Sequence, residues 1–437
     1  MSDPVSSGPW RSGRHAALVG ATFALVAGCT STAPASPAAS TPLPVTGAGQ
    51  VGTPACAWPR KANAYTANTV IPDASETAWI DFFQLAPGLR IVLSGTFPDA
   101  RYASLQVYAE PGGSPFTSNG VGSTLTDYQI APDPGSVNPW QQPAAPGGRY
   151  AVTLREDVAP GQVNTLPLAP AGVTSGQGLI VYRVYLPAGG DFSRVAPPSM
   201  TAEEGGQSEG ITPCTASNAP LDIPQPSSVA TSTPSPSATA APGQLEFFKE
   251  DVASLAPNTS TPYVLAYLTP PGPADVAVIR GKAPTHAQGD HPSIWPAADE
   301  DVRYWSLCMA ILDGVVPTVM NLLPSGAIDT GCRADEQVTL DPSGEYAFVL
   351  GTEAQRASIA SMAGVTFLPF STAQPTATHL LMLRDMLVNP EFAESPGRVT
   401  QSSDPTATAA VMGPYYPQAA VCPLATLVAA GVAGCFK

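Results

Sequence analysis

RYASL, at residues 101–105, returns in the second half of the chain as RYWSL, at residues 303–307. Three further blocks recur in the same order: RIVLSG (90–95) with VAVIRG (276–281), GRYAVTL (148–154) with GEYAFVL (344–350), and LIVYR (179–183) with LLMLR (380–384). An Asn-Thr pair also opens each half, at Asn68 and at Asn258. The four blocks are spaced by 186 to 202 residues. Ordered matches at nearly constant spacing predict two tandem copies of one structural unit.

The repeated blocks have the pattern of β-strands. Apolar side chains occupy alternate positions in residues 150–154 and 103–107, the period of two that a strand produces. The 50 prolines and 39 glycines, beside only 12% charged residues, predict many short elements joined by tight turns. We therefore predict an all-β fold of two tandem β-sandwich or jelly-roll-like copies. Helices should be few and short, with candidates at residues 354–362 and 423–432.

The N-terminus has the three regions of an export signal. Arg11 and Arg14 form a basic lead, residues 16–28 are apolar and uncharged, and small residues precede Cys29. The apolar segment is too short to span a bilayer as a helix. Its end, LVAGC, resembles a bacterial lipoprotein signal, which implies cleavage before Cys29 and a lipid on that residue. The alternative is an ordinary signal peptide in which the cysteine is incidental.

Composition divides the chain into five segments. Residues 1–28 are the predicted lipoprotein signal peptide, and residues 29–55, rich in Ser, Thr, Ala and Pro, are a predicted disordered tether. Residues 222–243 form a second Pro/Ser/Thr-rich stretch, which we interpret as a linker. The first β-sandwich copy is therefore predicted at residues 56–221 and the second at residues 244–437.

The charge balance restricts the possible partners. The chain has 34 acidic and 19 basic residues, a formal net charge of −15. This charge repels phosphate backbones, so nucleic acid is excluded as a partner. The partners that we predict are the membrane, through the N-terminal lipid, and an envelope glycan, lipid or protein. The predicted location is the outer face of the cytoplasmic membrane or another part of the cell envelope.

Six of the seven cysteines remain once Cys29 carries lipid. An even number in an exported chain predicts disulfides. Several connectivities are open, but sequential pairing is favoured, since the first two cysteines bracket the first half and the other pairs are local. The predicted bonds are Cys56–Cys214, Cys308–Cys332 and Cys422–Cys435. A metal site is the alternative, although no CxxC or HxxxH grouping supports it.

Several motifs together resemble a family. The NTxxP openings, the RYxSL strands, LDPSGEY at residues 340–346 and VMGPYYP at residues 411–417 look like an uncharacterised family of exported actinobacterial lipoproteins. The YWSL strand at residues 304–307 is similar to one in a jelly-roll-like domain of unknown function in bacterial envelope proteins. The resemblance implies the fold and the compartment, and it supplies no activity and no catalytic residue.

One segment matches a catalytic motif. GQSEG at residues 206–210 has the GxSxG pattern of a nucleophile elbow, which needs a strand before the serine and a helix after it. Polar and acidic residues precede Ser208, and Cys214 follows where the helix should run, so we interpret the match as accidental. No triad, paired-carboxylate or phosphate-loop signature appears. We therefore predict no catalytic residue and no cofactor.

The second copy contains an insertion between residues 281 and 304. It carries His286, Asp290, His291 and Trp295. Two imidazoles and a carboxylate suggest a metal site, and the indole suggests a ligand such as a sugar ring. The alternative is a polar loop without a ligand, because this spacing matches no standard metal signature.

Four arginines occupy matched positions in the two copies: Arg101 with Arg303, and Arg183 with Arg384. The simplest interpretation is structural, with each guanidinium bonded to carbonyls or to an acid such as Asp99, Asp301 or Asp385. A second hypothesis is that Arg183 and Arg384 bind a ligand carboxylate.

Together these features favour a membrane-anchored cell-envelope lipoprotein that acts as a non-catalytic binding or structural module of unknown ligand. A hydrolase of envelope glycans or lipids is the first alternative. The second is a solute-binding lipoprotein of a transporter, which is disfavoured because the strands are not interleaved with helices in βαβ order.

Overall fold

A computed structural model describes residues 56–109, 113–214, 244–250 and 256–437. The predicted signal peptide, Cys29, the tether and the linker at residues 222–243 lie outside the described residues. In the described part of the chain no helix is long and apolar enough to cross a bilayer.

The first copy is a sandwich of two five-stranded sheets, with orders β1-β2-β10-β4-β7 and β12-β11-β3-β8-β9, and β5 and β6 form a separate hairpin. Apolar side chains from both sheets fill the space between them. The strands are β1 (Arg60–Ala62), β2 (Glu76–Leu85), β3 (Arg90–Thr96), β4 (Ala100–Ala109), β5 (Thr117–Ser118), β6 (Val121–Gly122), β7 (Thr124–Thr126), β8 (Arg149–Arg155), β9 (Thr165–Pro167), β10 (Gly176–Pro187), β11 (Ser199–Glu204) and β12 (Gln207–Ile211).

The second copy repeats this architecture with sheets of order β14-β22-β16-β19 and β13-β23-β15-β20-β21, beside a β17–β18 hairpin. Its strands are β13 (Gln244–Leu245), β14 (Tyr263–Leu268), β15 (Asp275–Lys282), β16 (Val302–Ile311), β17 (Met320–Leu322), β18 (Ile328–Thr330), β19 (Cys332–Ala334), β20 (Glu345–Gly351), β21 (Thr366–Pro369), β22 (His379–Val388) and β23 (Gln418–Pro423). Its helices are α1 (Arg356–Ala360), α2 (Pro405–Met412) and α3 (Leu424–Gly434).

The sheet orders of the two copies correspond strand by strand. The order β2-β10-β4-β7 matches β14-β22-β16-β19, and β11-β3-β8-β9 matches β23-β15-β20-β21. In both copies the last pair, β8 with β9 and β20 with β21, is parallel. The predicted all-β fold of two tandem sandwiches is therefore confirmed.

Both predicted helices are present, as α1 and α3, but α2 was missed. Its start has an ordinary N-terminal signal, because the Asp404 side chain accepts the Ala407 N–H at 3.0 Å and Pro405 follows at the first helical position. Met412 at the end of this helix is buried in the core of the second sandwich.

Three disulfides join the cysteines in the predicted pairs. Cys56–Cys214 links the ends of the first copy, Cys308–Cys332 joins β16 to β19, and Cys422–Cys435 ties α3 to β23. The sequential pairing is confirmed. Three disulfides indicate an oxidising, extracytoplasmic location.

The strands that carry RYASL and RYWSL are buried on both faces. Ala103 and Leu105 point into the first core, yet Tyr102 and Ser104 on the opposite face are also buried. Alternation of apolar and polar side chains is typical of a strand with one solvated face. Here the polar face is covered by the other copy, and both copies belong to one compact unit.

Candidate functional site

Each copy extends a short arm across the other. The first arm, residues 70–75, lies before β2, and its Ile71 N–H donates to the Val316 carbonyl of the second copy at 2.8 Å. The second arm, residues 256–260, lies before β14, and its Ala256 N–H donates to the Gly113 carbonyl of the first copy at 3.1 Å. The contacts are reciprocal, so the two copies are related as the halves of a pseudosymmetric dimer.

Matched tyrosines bind the two arms. Tyr304 Oη donates to Asp73 of the first arm at 2.9 Å, and its equivalent, Tyr102 Oη, donates to Asn258 of the second arm at 3.3 Å. Asp73 and Asn258 therefore occupy equivalent positions in the two copies. The sequence match of Asn68 with Asn258 was wrong by five residues, because the copies diverge in length before their first long strands.

The two mid-strand arginines also hold the arms. Arg183 donates to the Ala256 carbonyl, and Arg384 donates to the Ile71 carbonyl. Arg384 Nη1 lies 3.5 Å from an Asp73 carboxylate oxygen. Both guanidinium groups are buried. The structural interpretation of these residues agrees with this geometry, whereas the ligand-carboxylate hypothesis has no support from it.

Two buried ion pairs cross between the copies. Arg101 Nη1 lies 2.7 Å from Asp335 Oδ2, and Arg303 Nη1 lies 2.7 Å from Asp127 Oδ1. The arginines are equivalent in the repeat, and each aspartate opens the 3-10 turn that follows the matched strand β7 or β19. Burial raises the pKa of both aspartates, and the facing guanidinium offsets part of that effect.

The predicted acid partners of Arg101 and Arg303 were wrong. The sequence suggested the acids Asp99, Asp301 or Asp385, whereas the partners lie across the interface. Each partner also accepts a backbone N–H of its own copy, Asp127 from Ala103 at 2.7 Å and Asp335 from Trp305 at 3.2 Å. These carboxylates therefore connect a strand of one copy to the arginine of the other.

The insertion of the second copy covers Arg101 and Arg303. The Gly289 carbonyl accepts from Arg101 Nε at 2.5 Å, while the Gly289 N–H donates to Glu336, which also pairs with Arg101. The Trp295 ring lies over the Arg303 guanidinium, with 5.1 Å between the guanidinium carbon and the ring centre. The loop thus completes the interface.

The histidines of this insertion face different carboxylates. His286 Nδ1 lies 3.7 Å from Asp335, whereas the exposed His291 lies 2.7 Å from Asp99 and 3.3 Å from Asp290. The hydrogen bond to Asp99 raises the pKa of His291.

The three proposed metal ligands, His286, Asp290 and His291, do not meet at one point. Among the described residues, one group of three potential ligands is close enough to share an ion, namely Asp73, Cys308 and Cys332. Its cysteines are bonded to each other and cannot ligate a metal as thiolates. The geometry gives the metal hypothesis no support.

The GxSxG segment forms a hairpin. Ser208 lies in the edge strand β12 opposite Glu203 of β11, and the two glycines before Gln207 make the turn. A nucleophile elbow requires the serine at a strand-to-helix turn. The accidental interpretation therefore agrees with the fold.

A small cavity lies between the sheets of the second copy. Its polar lining comes from Lys282, Trp305, Tyr346, Asp385 and Tyr415, and the rest of the lining comes from Pro284, Leu383 and Met412. The centre of a water molecule can occupy about 10 Å³ of it, which is the room that one water needs. We call it the second-copy cavity.

Two polar atoms at the second-copy cavity lack partners. Trp305 Nε1 and Tyr346 Oη are buried and have no hydrogen-bond partner among the described residues. The Tyr346 ring lies against Gly281, where a Cβ would come within 2.7 Å of the hydroxyl oxygen, so glycine is required there. An unpartnered buried donor is costly unless a molecule occupies the space in front of it.

The first copy has no equivalent cavity lining. Trp305 and Asp385 are direct cross-strand neighbours in the second copy, and their equivalents in the first copy are Ala103 and Val184. Sequence reasoning missed Asp385 as a cavity residue, although the Ala-to-Trp change inside RYxSL and the acid after the matched arginine were both visible.

Asp385 makes stability depend on pH. Burial, with a smaller contribution from the charge of Asp301, raises its pKa from 3.8 to about 7. The folded state therefore holds this proton more tightly than the unfolded chain, so stability is lost as pH rises towards 7. We expect Asp385→Asn to remove that loss. The free energy of unfolding of the variant, relative to that of the original chain, should therefore rise by about 2.5 kcal/mol between pH 5 and pH 8.

Urea unfolding of both proteins at pH 5 and pH 8 measures this difference. The buried Asp81, whose pKa is also raised to about 7, is present in both proteins and cancels in the comparison. A stability difference that is the same at both pH values would contradict the expectation.

A second cleft lies on the surface of the first copy. It has a volume of about 250 Å³ and is lined by Ser118, Asn119, Glu156 and Asp157 together with residues 169–174. This is below the range of about 300 to 1,000 Å³ that is usual for small-molecule pockets. The carboxylates also make it unsuitable for an anion.

No protein-family model and no curated protein matches the chain. Three chains of solved structures match it, including the following two. An uncharacterized protein from Burkholderia cenocepacia has a TM-score of 0.48 and 13% identity, over 83% of this chain and 80% of that one. The VPA0106 protein from Vibrio parahaemolyticus has a TM-score of 0.35 and 13% identity, over 82% of this chain and 92% of that one.

Proposed function

We propose that this protein is a lipid-anchored module of the cell envelope with a binding or structural role and no catalysis. The observation that carries the proposal is the use of the charged residues that both copies share. Arg101 and Arg303 bind Asp335 and Asp127, and these side chains join the copies into one body. Repeated units with a shared, buried polar network are suited to presenting a rigid surface.

The compartment supports the same proposal. Three disulfides are compatible with a location outside the cytoplasm. The environment there is oxidising, so the bonds persist and hold the fold of an anchored protein. The negative charge of the chain keeps its body away from anionic headgroups, so the anchor would hold it near the membrane without flattening it on the surface.

The anchor has a direct chemical test. We expect mass spectrometry of the membrane fraction to find Cys29 as the first residue, carrying acyl chains. Cys29→Ala should abolish the acyl mass and leave residues 1–28 attached, because in a lipoprotein signal both the lipid and the cleavage depend on that cysteine. An unmodified Cys29, or retention of residues 1–28, would remove the anchor from the proposal.

The binding role is tested with the full chain and fractionated envelope material. We expect retention on one glycan, lipid or protein fraction without release of any product. Reduced and alkylated protein, which has lost the disulfides, serves as the control for nonspecific retention. Product release that depends on the folded protein would instead favour the hydrolase alternative, and no retention on any fraction would leave only a structural role.

A further inference from the structure

We propose that the second-copy cavity is a receptor for one hydroxyl group of a neutral polyol or sugar, occupied by a water molecule in the resting protein. This inference rests on the proposed binding role and assigns it a site and a ligand class. The site is formed by Trp305, Tyr346 and Asp385 inside the sandwich, with Lys282 at the rim.

The polar groups select the hydroxyl. Trp305 Nε1–H can only donate, whereas Tyr346 Oη can donate or accept. The carboxyl of Asp385 supplies an acceptor on the strand next to Trp305. The oxygen of a ligand hydroxyl can accept a hydrogen bond from Trp305 Nε1–H, and the same hydroxyl can donate its proton to the carboxyl of Asp385. A single hydroxyl group therefore provides a partner for both side chains. The available volume, that of one water, fits this group and no larger one.

Charged ligands fit less well. At pH 8, where Asp385 is ionised, a carboxylate would be repelled by it, and an ammonium group offers no acceptor to Trp305 Nε1–H. Lys282 is exposed at the rim, with Nζ 4.9 Å from the centre of the half-buried Tyr415 ring. The hydrogen bond to Tyr415 raises the pKa of Lys282, so this rim group stays cationic and repels cations. Tyr415 lines the cavity beside Lys282 and gives the rest of a neutral ligand an aromatic side chain to contact.

Exchange of water for a ligand hydroxyl is the physical basis of binding. A ligand group that reproduces the hydrogen bonds of an ordered water replaces it at little cost, whereas an apolar group loses those bonds. The first copy cannot do this, since Ala103 and Val184 leave no polar pair at the equivalent position.

The test follows the indole ¹⁵N–¹H resonance of Trp305 in the full chain, assigned by its absence in Trp305→Phe. The spectra are recorded at pH 8, with glycerol and glucose as the probes and sodium acetate and methylammonium chloride as charged comparators. We expect a saturable shift with glycerol or glucose and none with the ions. Tyr346→Phe should weaken the binding about three- to tenfold. The matched control is Tyr150→Phe, the equivalent residue of the first copy, which should leave binding unchanged.

Thermal unfolding gives a second readout with an informative sign. If a water occupies the cavity, Tyr346→Phe breaks its hydrogen bonds and lowers Tm by about 2 to 4 °C. A raised Tm would mean that the Tyr346 hydroxyl has no water or other hydrogen-bond partner in the original protein, and it would overturn the proposal. A Trp305 resonance unmoved by both glycerol and glucose also overturns it, and a lowered Tm would then indicate only a structural water. Neither failure affects retention on envelope fractions, so the proposed function is tested separately.

Discussion

Replacing Asp335 by asparagine is expected to destabilise the protein by about 3 to 5 kcal/mol. Arg101 and Asp335 are both fully buried, with 2.7 Å between Nη1 and Oδ2. The amide keeps the shape of the carboxylate but removes its charge, leaving the guanidinium with Glu336, which is partly exposed, as its remaining carboxylate partner. The buried guanidinium then loses its buried counter-ion and keeps only one that solvent screens, so the loss should far exceed that of a surface pair.

Urea unfolding followed by tryptophan fluorescence measures the effect. Asp157→Asn is the matched control, because it breaks the exposed Arg155–Asp157 pair and should change stability by no more than about 0.5 kcal/mol. Adding Arg101→Met to Asp335→Asn should cost less than the sum of the two single changes, since neither charge is then left alone. Equal effects of Asp335→Asn and Asp157→Asn would show that the pair does not hold the copies together.

Loss of the Cys56–Cys214 bond should be the most damaging of the three disulfide deletions. The bond spans 158 residues, compared with 13 for Cys422–Cys435. In the chain-entropy account a longer closed loop restricts the unfolded chain more, which predicts losses of about 5 and about 3 kcal/mol, respectively. Serine pairs at each position, compared by urea unfolding, give the two values.

The shorter bond is the internal control, because both variants lose one disulfide and gain two hydroxyls. A non-reducing peptide map of the original chain verifies the pairing first. If the Cys422→Ser, Cys435→Ser chain were the less stable variant, local contacts of α3 with the second sandwich would outweigh loop closure, and the entropic account would be wrong here.

The repeat could be found from sequence because its strands carry their own pattern. Alternation in residues 103–107 and 150–154 follows from the period of a strand, and it survives in both copies since the cores need apolar side chains at those positions. The disulfide pairs could also be predicted from the sequence, because the spacing of the six cysteines along the chain favours sequential pairing. The α2 helix was missed because only its Asp404-Pro405 start marks it.

The candidate site depended on relations that no local pattern records. The sequence by itself determined the strand content, the duplication and the cysteine framework, since these depend on residues close in the chain or on a simple count. Only the tertiary structure decided that Arg101 binds Asp335, 234 residues away, and that the polar face of RYxSL is an interface. The same holds for the cavity at Trp305 and Asp385, because partners on different strands and copies are selected by three-dimensional packing, which residue spacing does not encode.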